Sequence, residues 1–107
     1  MITPQLQDER AACSIVHQAP PLFFPPDSPM VRALHRAYID VTGDTEHPLQ
    51  VIGGASYARS VPGIIAFGCA WPEEDNRIHN ADEHLRIDHF LIQTEICAEA
   101  VRNLLAL

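Results

Sequence analysis

Three groups of residues in this 107-residue chain are of types that could do chemistry. The first is the pair Gly53-Gly54, followed by Ser56 and Arg59. Glycines without Cβ atoms let a backbone bend sharply and come close to a ligand. Free N–H groups at a helix start just after them would attract an anion such as a carboxylate. The guanidinium fork of Arg59 could hold the same group. By spacing alone the segment suits equally well a plain strand-to-helix turn with a surface arginine. The second group is His79, in the polar run His79-Asn80-Ala81-Asp82-Glu83. A neutral imidazole is a good zinc ligand, and a neighbouring carboxylate could orient its other nitrogen. Catalytic zinc commonly has three protein ligands, however, and neither HExxH nor His-x-Asp occurs in the sequence. Local pattern alone therefore makes His79 a surface histidine. The third group, Glu73-Glu74-Asp75, could in principle pair a base with a metal ligand, but after Pro72 it reads as a solvated turn. The remaining histidines, His17, His35, His47, His84 and His89, read as loop or helix-surface residues. Ser56 and Tyr57 form no nucleophile arrangement, since the GxSxG elbow is absent.

The elements that must position these residues are unevenly marked. A first helix is well punctuated: Ser28 fits its N-cap, Pro29 its first position and Gly43 the position past its end. Val31, Leu34, Tyr38 and Val41 recur on one face. Residues 44–48 read as a solvated loop. Two short apolar runs, 49–52 and 64–67, have the character of buried strands. The segment 71–86 is polar and irregular. A long closing helix follows, with Asp88 as N-cap and Ile87 packing on Ile92 as a hydrophobic staple. Its broad apolar face comprises Phe90, Leu91, Thr94, Cys97, Ala98, Val101, Leu104 and Leu105, widened by Ile92, Ile96 and Ala100. That surface wants more cover than one helix and two short strands provide. Before the first helix, four prolines between 20 and 26 impose an extended connector. Phe23 and Phe24 imply that the connector lies against something, and residues 13–16 could form a short strand.

Composition excludes some functions. Seven Lys plus Arg against fourteen Asp plus Glu leave a formal charge of -7, which repels nucleic-acid backbones. No apolar run reaches membrane-spanning length. The first ten residues lack the basic start and apolar core of a secretory signal, so the expected location is cytoplasmic. Cys13, Cys69 and Cys97 are odd in number and widely spaced, and read as small buried apolar residues rather than a disulfide framework.

Taken in order, the motifs carry more than any one of them. Thr42-Gly43, Gly53-Gly54-Ala55-Ser56-Tyr57-Ala58-Arg59, Ala66-Phe67-Gly68, Pro72 and His79-Asn80-Ala81-Asp82-Glu83 follow one another along residues 22–107. This series resembles the C-terminal region of PepV-type bacterial zinc dipeptidases, relatives of carnosinase, the aminoacylases and carboxypeptidase-like dinuclear metallopeptidases. The resemblance implies an α/β fold: the C-terminal part of a zinc-peptidase catalytic domain, with short strands, flanking helices and a long C-terminal helix. It implies that His79 binds one of two zinc ions, and that Gly53, Gly54, Ser56 and Arg59 line the substrate side. The implied reaction is hydrolysis of a dipeptide by a metal-bound water, with a glutamate outside this chain as general base. Two positions depart from the family pattern: Ser56 stands where threonine is usual, and Asp82 where asparagine is usual, adding charge beside the metal.

The sequence thus reads as a connector over 1–21, which could hold the end of a lid domain, and a C-terminal portion of a metallopeptidase catalytic domain over 22–107. The family's other metal ligands have no counterpart here, so this chain alone is expected to be inactive. Its expected partners are a dipeptide substrate in the complete enzyme, and a missing N-terminal segment or a second copy over the apolar helix face. The alternative is a non-catalytic oligomerisation or binding module derived from the same scaffold.

Overall fold

Two helices carry nearly all the regular structure in a computed structural model of the chain, which describes residues 10–68 and 70–107. Helix α1 spans Pro29–Thr42 and helix α2 spans Ile87–Leu105. Between them lies a one-turn 3-10 helix, Tyr57–Ser60.

Helix α1 is built as its punctuation dictates. The Ser28 hydroxyl accepts a hydrogen bond from the Val31 N–H at 3.4 Å, and Pro29 opens the helix where no N–H is required. Gly43 takes a left-handed conformation, φ 72°, and its N–H donates to the Ile39 carbonyl. Val31, Ala33, Leu34 and Ala37 are buried. Asp44 then organises the turn that follows. It accepts from the Tyr38 hydroxyl at 2.6 Å and from the backbone N–H groups of Glu46 and His47, and it pairs with His47 Nδ1 at 2.7 Å. The expected solvated loop is therefore an ordered cap.

Helix α2 runs antiparallel to α1. Near its C-terminal end Asn103 Nδ2 donates to the Ala33 carbonyl, while at its N-terminal end His89 reaches, through Trp71, towards Tyr38 near the end of α1. The core lies between the helices around Leu34, Ala37 and Ala100, with Met30, Ile65 and Leu104 against it. Ile96 is only 2% exposed. Alanines at the contact let the two helices approach closely.

Several expectations are corrected here. The strands expected over 49–52 and 64–67, and the short one over 13–16, do not form; among the described residues no strand is present beyond a lone bridge residue, Ala11. The reason is that a strand exists only by pairing, and these runs find no ladder. Val51 and Ile52 are 92% and 77% exposed. The expected α/β architecture is thus not seen among the described residues, whose regular structure is helical. Asp88 is not the N-cap of α2: that position is Arg86, and Asp88 lies in the first turn, bound to the Arg86 guanidinium at 2.7 Å. Ile87 is therefore the first helical residue, 79% exposed, and makes no staple. Cys13 and Cys97 are exposed rather than buried, and Cys69 lies outside the described residues.

The largest correction concerns the faces of α2. Ile96 and Ala100 are the buried side, whereas Phe90, Leu91, Thr94, Cys97, Ala98, Val101 and Leu105 point away from α1 and are exposed. At about 100° per residue the two stripes stand on opposite sides of the helix. Helix α2 is thus apolar on both sides and covered on one. The whole chain exposes 9172 Å², where a folded monomer of this mass exposes about 5,900 Å². Its radius of gyration is 18.1 Å, against about 13 Å for a compact chain of this length.

Candidate functional site

The residues picked out by type fall in the segment between the helices. Gly53 and Gly54 are exposed, with nothing near the position a Cβ would occupy; Gly54, at φ 127°, holds a backbone conformation that only glycine adopts readily. Ser56 caps the 3-10 helix by accepting from the Ala58 N–H at 3.3 Å. Arg59 is turned back on the connector: Nη2 donates to the carbonyls of Ala19 and Pro20 at 2.9 and 3.1 Å. Its Nε is buried without a partner. One edge of the guanidinium therefore ties residues 19–20 in place. Phe24 nearby is half-buried and Phe23 exposed, so only one of the two connector aromatics finds cover.

His79 lies at the tip of the loop between Trp71 and α2. The loop is closed at its base by the His84 N–H donating to the Asn76 carbonyl at 3.1 Å. Inside it, Asn80 N–H donates to the Arg77 carbonyl, Arg77 N–H to Asp75 and Ile78 N–H to Asn76. Glu73, Arg77, His79 and Asp82 all take left-handed backbone conformations, with φ of 62°, 55°, 62° and 60°. For residues with a Cβ this costs about 1–2 kcal/mol each, so the segment stores strain of the kind that collects at functional sites. Asp82, the charged departure in the motif, sits 3.7 Å from Arg77 Nη1 with both side chains well exposed, so solvent weakens the pair. The His84 ring is held to the Asp82 carbonyl at 2.7 Å.

A second cluster was not expected. Trp71 stacks on His89 with ring centroids 4.6 Å apart and approaches Tyr38 at 6.5 Å. His89 Nδ1 pairs with Glu74 Oε2 at 2.6 Å, and the Glu74 side chain is 11% exposed. Glu74 is thus no solvated turn residue, although its neighbours Glu73 and Asp75 are exposed. Glu74 Oε1 and Trp71 Nε1 are buried without a protein partner. The local signal was thin: the Glu74 N–H closes a turn on the Trp71 carbonyl, which keeps the two side chains near each other. Nothing in the spacing pointed to His89.

Among the described residues no three His, Cys, Asp or Glu side chains come together to hold a metal ion. His79 could supply one ligand, and a complete site needs donors from outside these residues. No helix among them is long and apolar enough to cross a membrane.

Comparison with known proteins places this geometry in context. A family model described as Peptidase family M20/M25/M40 matches residues 7–103. A protein of Bacillus subtilis strain 168, named "Putative dipeptidase YtjP", is 36% identical over 78 residues, covering 73% of this chain and 17% of its own length. "Putative dipeptidase SH1171" of Staphylococcus haemolyticus is 32% identical over 84 residues, 78% of this chain and 18% of that protein. A Staphylococcus aureus USA300 protein, "Putative dipeptidase SAUSA300_1697", is 31% identical over 85 residues, again 18% of its length. The chain therefore spans less than a fifth of the relatives it matches. No solved structure matches it.

Proposed function

The chain belongs to peptidase family M20/M25/M40, and from that premise we infer that it is the C-terminal portion of the catalytic domain of a zinc-dependent dipeptidase. His79 serves as a ligand to one of two zinc ions, and Gly53, Gly54, Ser56 and Arg59 lie on the substrate side. The other ligands and the general base come from sequence beyond this chain, which alone does not hydrolyse dipeptides. The site of action is the cytoplasm.

The observation that carries this reading is the two-sided apolarity of α2, in a chain that spans 17–18% of its relatives. A helix that packs one apolar side and leaves a second uncovered is suited to a larger core, and the surplus of exposed surface described above points the same way. Unpaired residues 49–52 and 64–67 have the composition of strands that lack a sheet. The strained His79 loop fits a position fixed for a purpose other than packing. The PepV-type assignment rests on the ordered motifs, and the number and identity of the metal ions on that assignment.

Arg59 sharpens the reading. For it to hold a substrate carboxylate, the Ala19 and Pro20 carbonyls must share or release the guanidinium, and its buried, unpartnered Nε must be uncovered. The second reading, a binding or oligomerisation module, is favoured by the same uncovered stripe of α2. His79→Ala, made in the longer protein, separates the two. On the peptidase reading, dipeptide hydrolysis and one bound zinc are lost while the circular dichroism spectrum is unchanged. Unchanged hydrolysis would overturn the assignment of His79.

A further inference from the structure

We propose that Trp71, Glu74 and His89 form a clip that holds the His79 loop in its strained conformation, with His89 acting as a positioning residue for His79. The inference rests on the reading above only for the purpose of the loop; the clip itself is a matter of geometry.

The loop has few means of holding its own shape. Its side-chain hydrogen bonds, Arg77 N–H to Asp75, Ile78 N–H to Asn76, Asn80 Nδ2 to the Ile78 carbonyl and the His84 ring to the Asp82 carbonyl, are all exposed. Two backbone bonds, Asn80 N–H to the Arg77 carbonyl and His84 N–H to the Asn76 carbonyl, add to them. The Arg77–Asp82 contact is long and open to solvent. Bonds of this sort compete with water and contribute little. Yet four residues stay in left-handed conformations, and such strain persists only where the surroundings over-determine it. The C-terminal limb of the loop is fixed by running into α2. Among the described residues the N-terminal limb is held through the Glu74 carboxylate against His89, fifteen residues on, with Trp71 stacked over the same ring.

This place joins the loop to the packed part of the molecule. His89 lies in the first turn of α2 and Trp71 also meets Tyr38 of α1. Both ends of the loop are thereby brought to one point, the start of α2, which limits the conformations open to residues 75–85. Glu73, at φ 62°, lies between Trp71 and Glu74 and turns the chain so that both face His89. The carboxylate–imidazole contact is short and largely shielded from water, the condition in which such a bond is strongest. Without it, the Asn76–His84 bond at the loop base would open, and His79 would sample many orientations instead of one.

The test uses the 107-residue chain without metal or substrate. Hydrogen exchange at the His84 N–H reports the loop base, the NMR signals of the His79 ring report its order, and emission of Trp71, the only tryptophan, reports the stack. With His89→Ala and with Glu74→Ala, exchange at His84 is expected to speed up about tenfold or more and the His79 signals to broaden, while amides of the α1–α2 core keep their rates. Glu74→Gln keeps an acceptor for His89 and is expected to restore exchange to within about threefold of the native rate. Exchange at His84 within about twofold of native in both alanine variants, with Trp71 emission showing the stack broken, would overturn the clip. If His89→Ala also loosens the helix pair, His89→Phe decides by the same thresholds, since it keeps a ring over Trp71 and deletes the bond to Glu74. An intact clip combined with hydrolysis that is indifferent to His79 in the longer protein would leave this inference standing and remove only the metal reading.

Discussion

The helix pair and the segment between its members were drawn from one sequence and obey different rules. In α1, stop and start signals lie within a few residues of what they control, and both helices satisfy their own backbone along their length. Residues 49–86 hold every candidate site residue, yet apart from one short turn of 3-10 helix the described residues among them have no regular structure. Their apolar runs need hydrogen-bond partners far away in sequence. The difference teaches that the helical scaffold is specified locally, whereas the segment that holds the candidate site residues needs partners distant in sequence.

The contrast can be broken or sharpened by substitution. The largest effect is expected from Ile96→Ala, which empties the best-buried large side chain; the loss should be about 2–5 kcal/mol, measured by urea denaturation followed by circular dichroism. Ile52→Ala, the same chemistry on an exposed run, should stay within about 0.5 kcal/mol. If Ile52→Ala were the costlier change, the segment would be packed after all.

How much could be read beforehand follows the same line. Ser28, Pro29 and Gly43 delimited α1 because each acts on its own helix end. The extent of α2 was also legible, but not its orientation: with apolar residues on both sides, periodicity could not tell which stripe would meet α1. The Asp44 hub escaped notice because a carboxylate after a helix is usually solvated. The Glu74–His89 pair escaped because its partners come from a loop and a helix fifteen residues apart. For the candidate site, the sequence named residues, and their grouping came only from the ordered motifs. His79 and Arg59 are shown in separate local settings, each tied to its own loop or connector.

A smaller effect is expected from Ser28→Ala. Removing the N-cap acceptor for the Val31 N–H should cost about 1 kcal/mol, again by urea denaturation, since the cap is a partly exposed bond of 3.4 Å. A loss as large as that of Ile96→Ala would mean that the helix signals, rather than the interface, hold the pair together.

The subtlest prediction concerns pH. The Tyr38 hydroxyl, then the Glu46 N–H, hold the Asp44 carboxyl well below the usual carboxylate range. A carboxyl depressed in the folded state contributes stability that is complete above its unfolded pKa, about 3.9, and lost as pH falls through the folded value. Asp88, pushed down to about 2 chiefly by its bond to Arg86, acts in the same direction. Tyr38 is raised, first by desolvation and then by Asp44, so its contribution holds below about pH 10 and fades above it. The urea midpoint should therefore fall below about pH 4. Asp44→Asn should make that acid slope shallower, leaving the part due to Asp88; an unchanged slope would remove Asp44 from the account.

The central claim is that this chain is completed by the rest of a peptidase domain. It is tested most directly by adding the remainder of the longer protein as a separate polypeptide, then measuring zinc content, dipeptide hydrolysis and solution mass. The account predicts a one-to-one complex that binds zinc and hydrolyses dipeptides only when both pieces are present, and that is silent with His79→Ala. A folded, bound remainder that gives neither metal uptake nor hydrolysis, or a chain that covers its α2 face by pairing with itself instead, would contradict it.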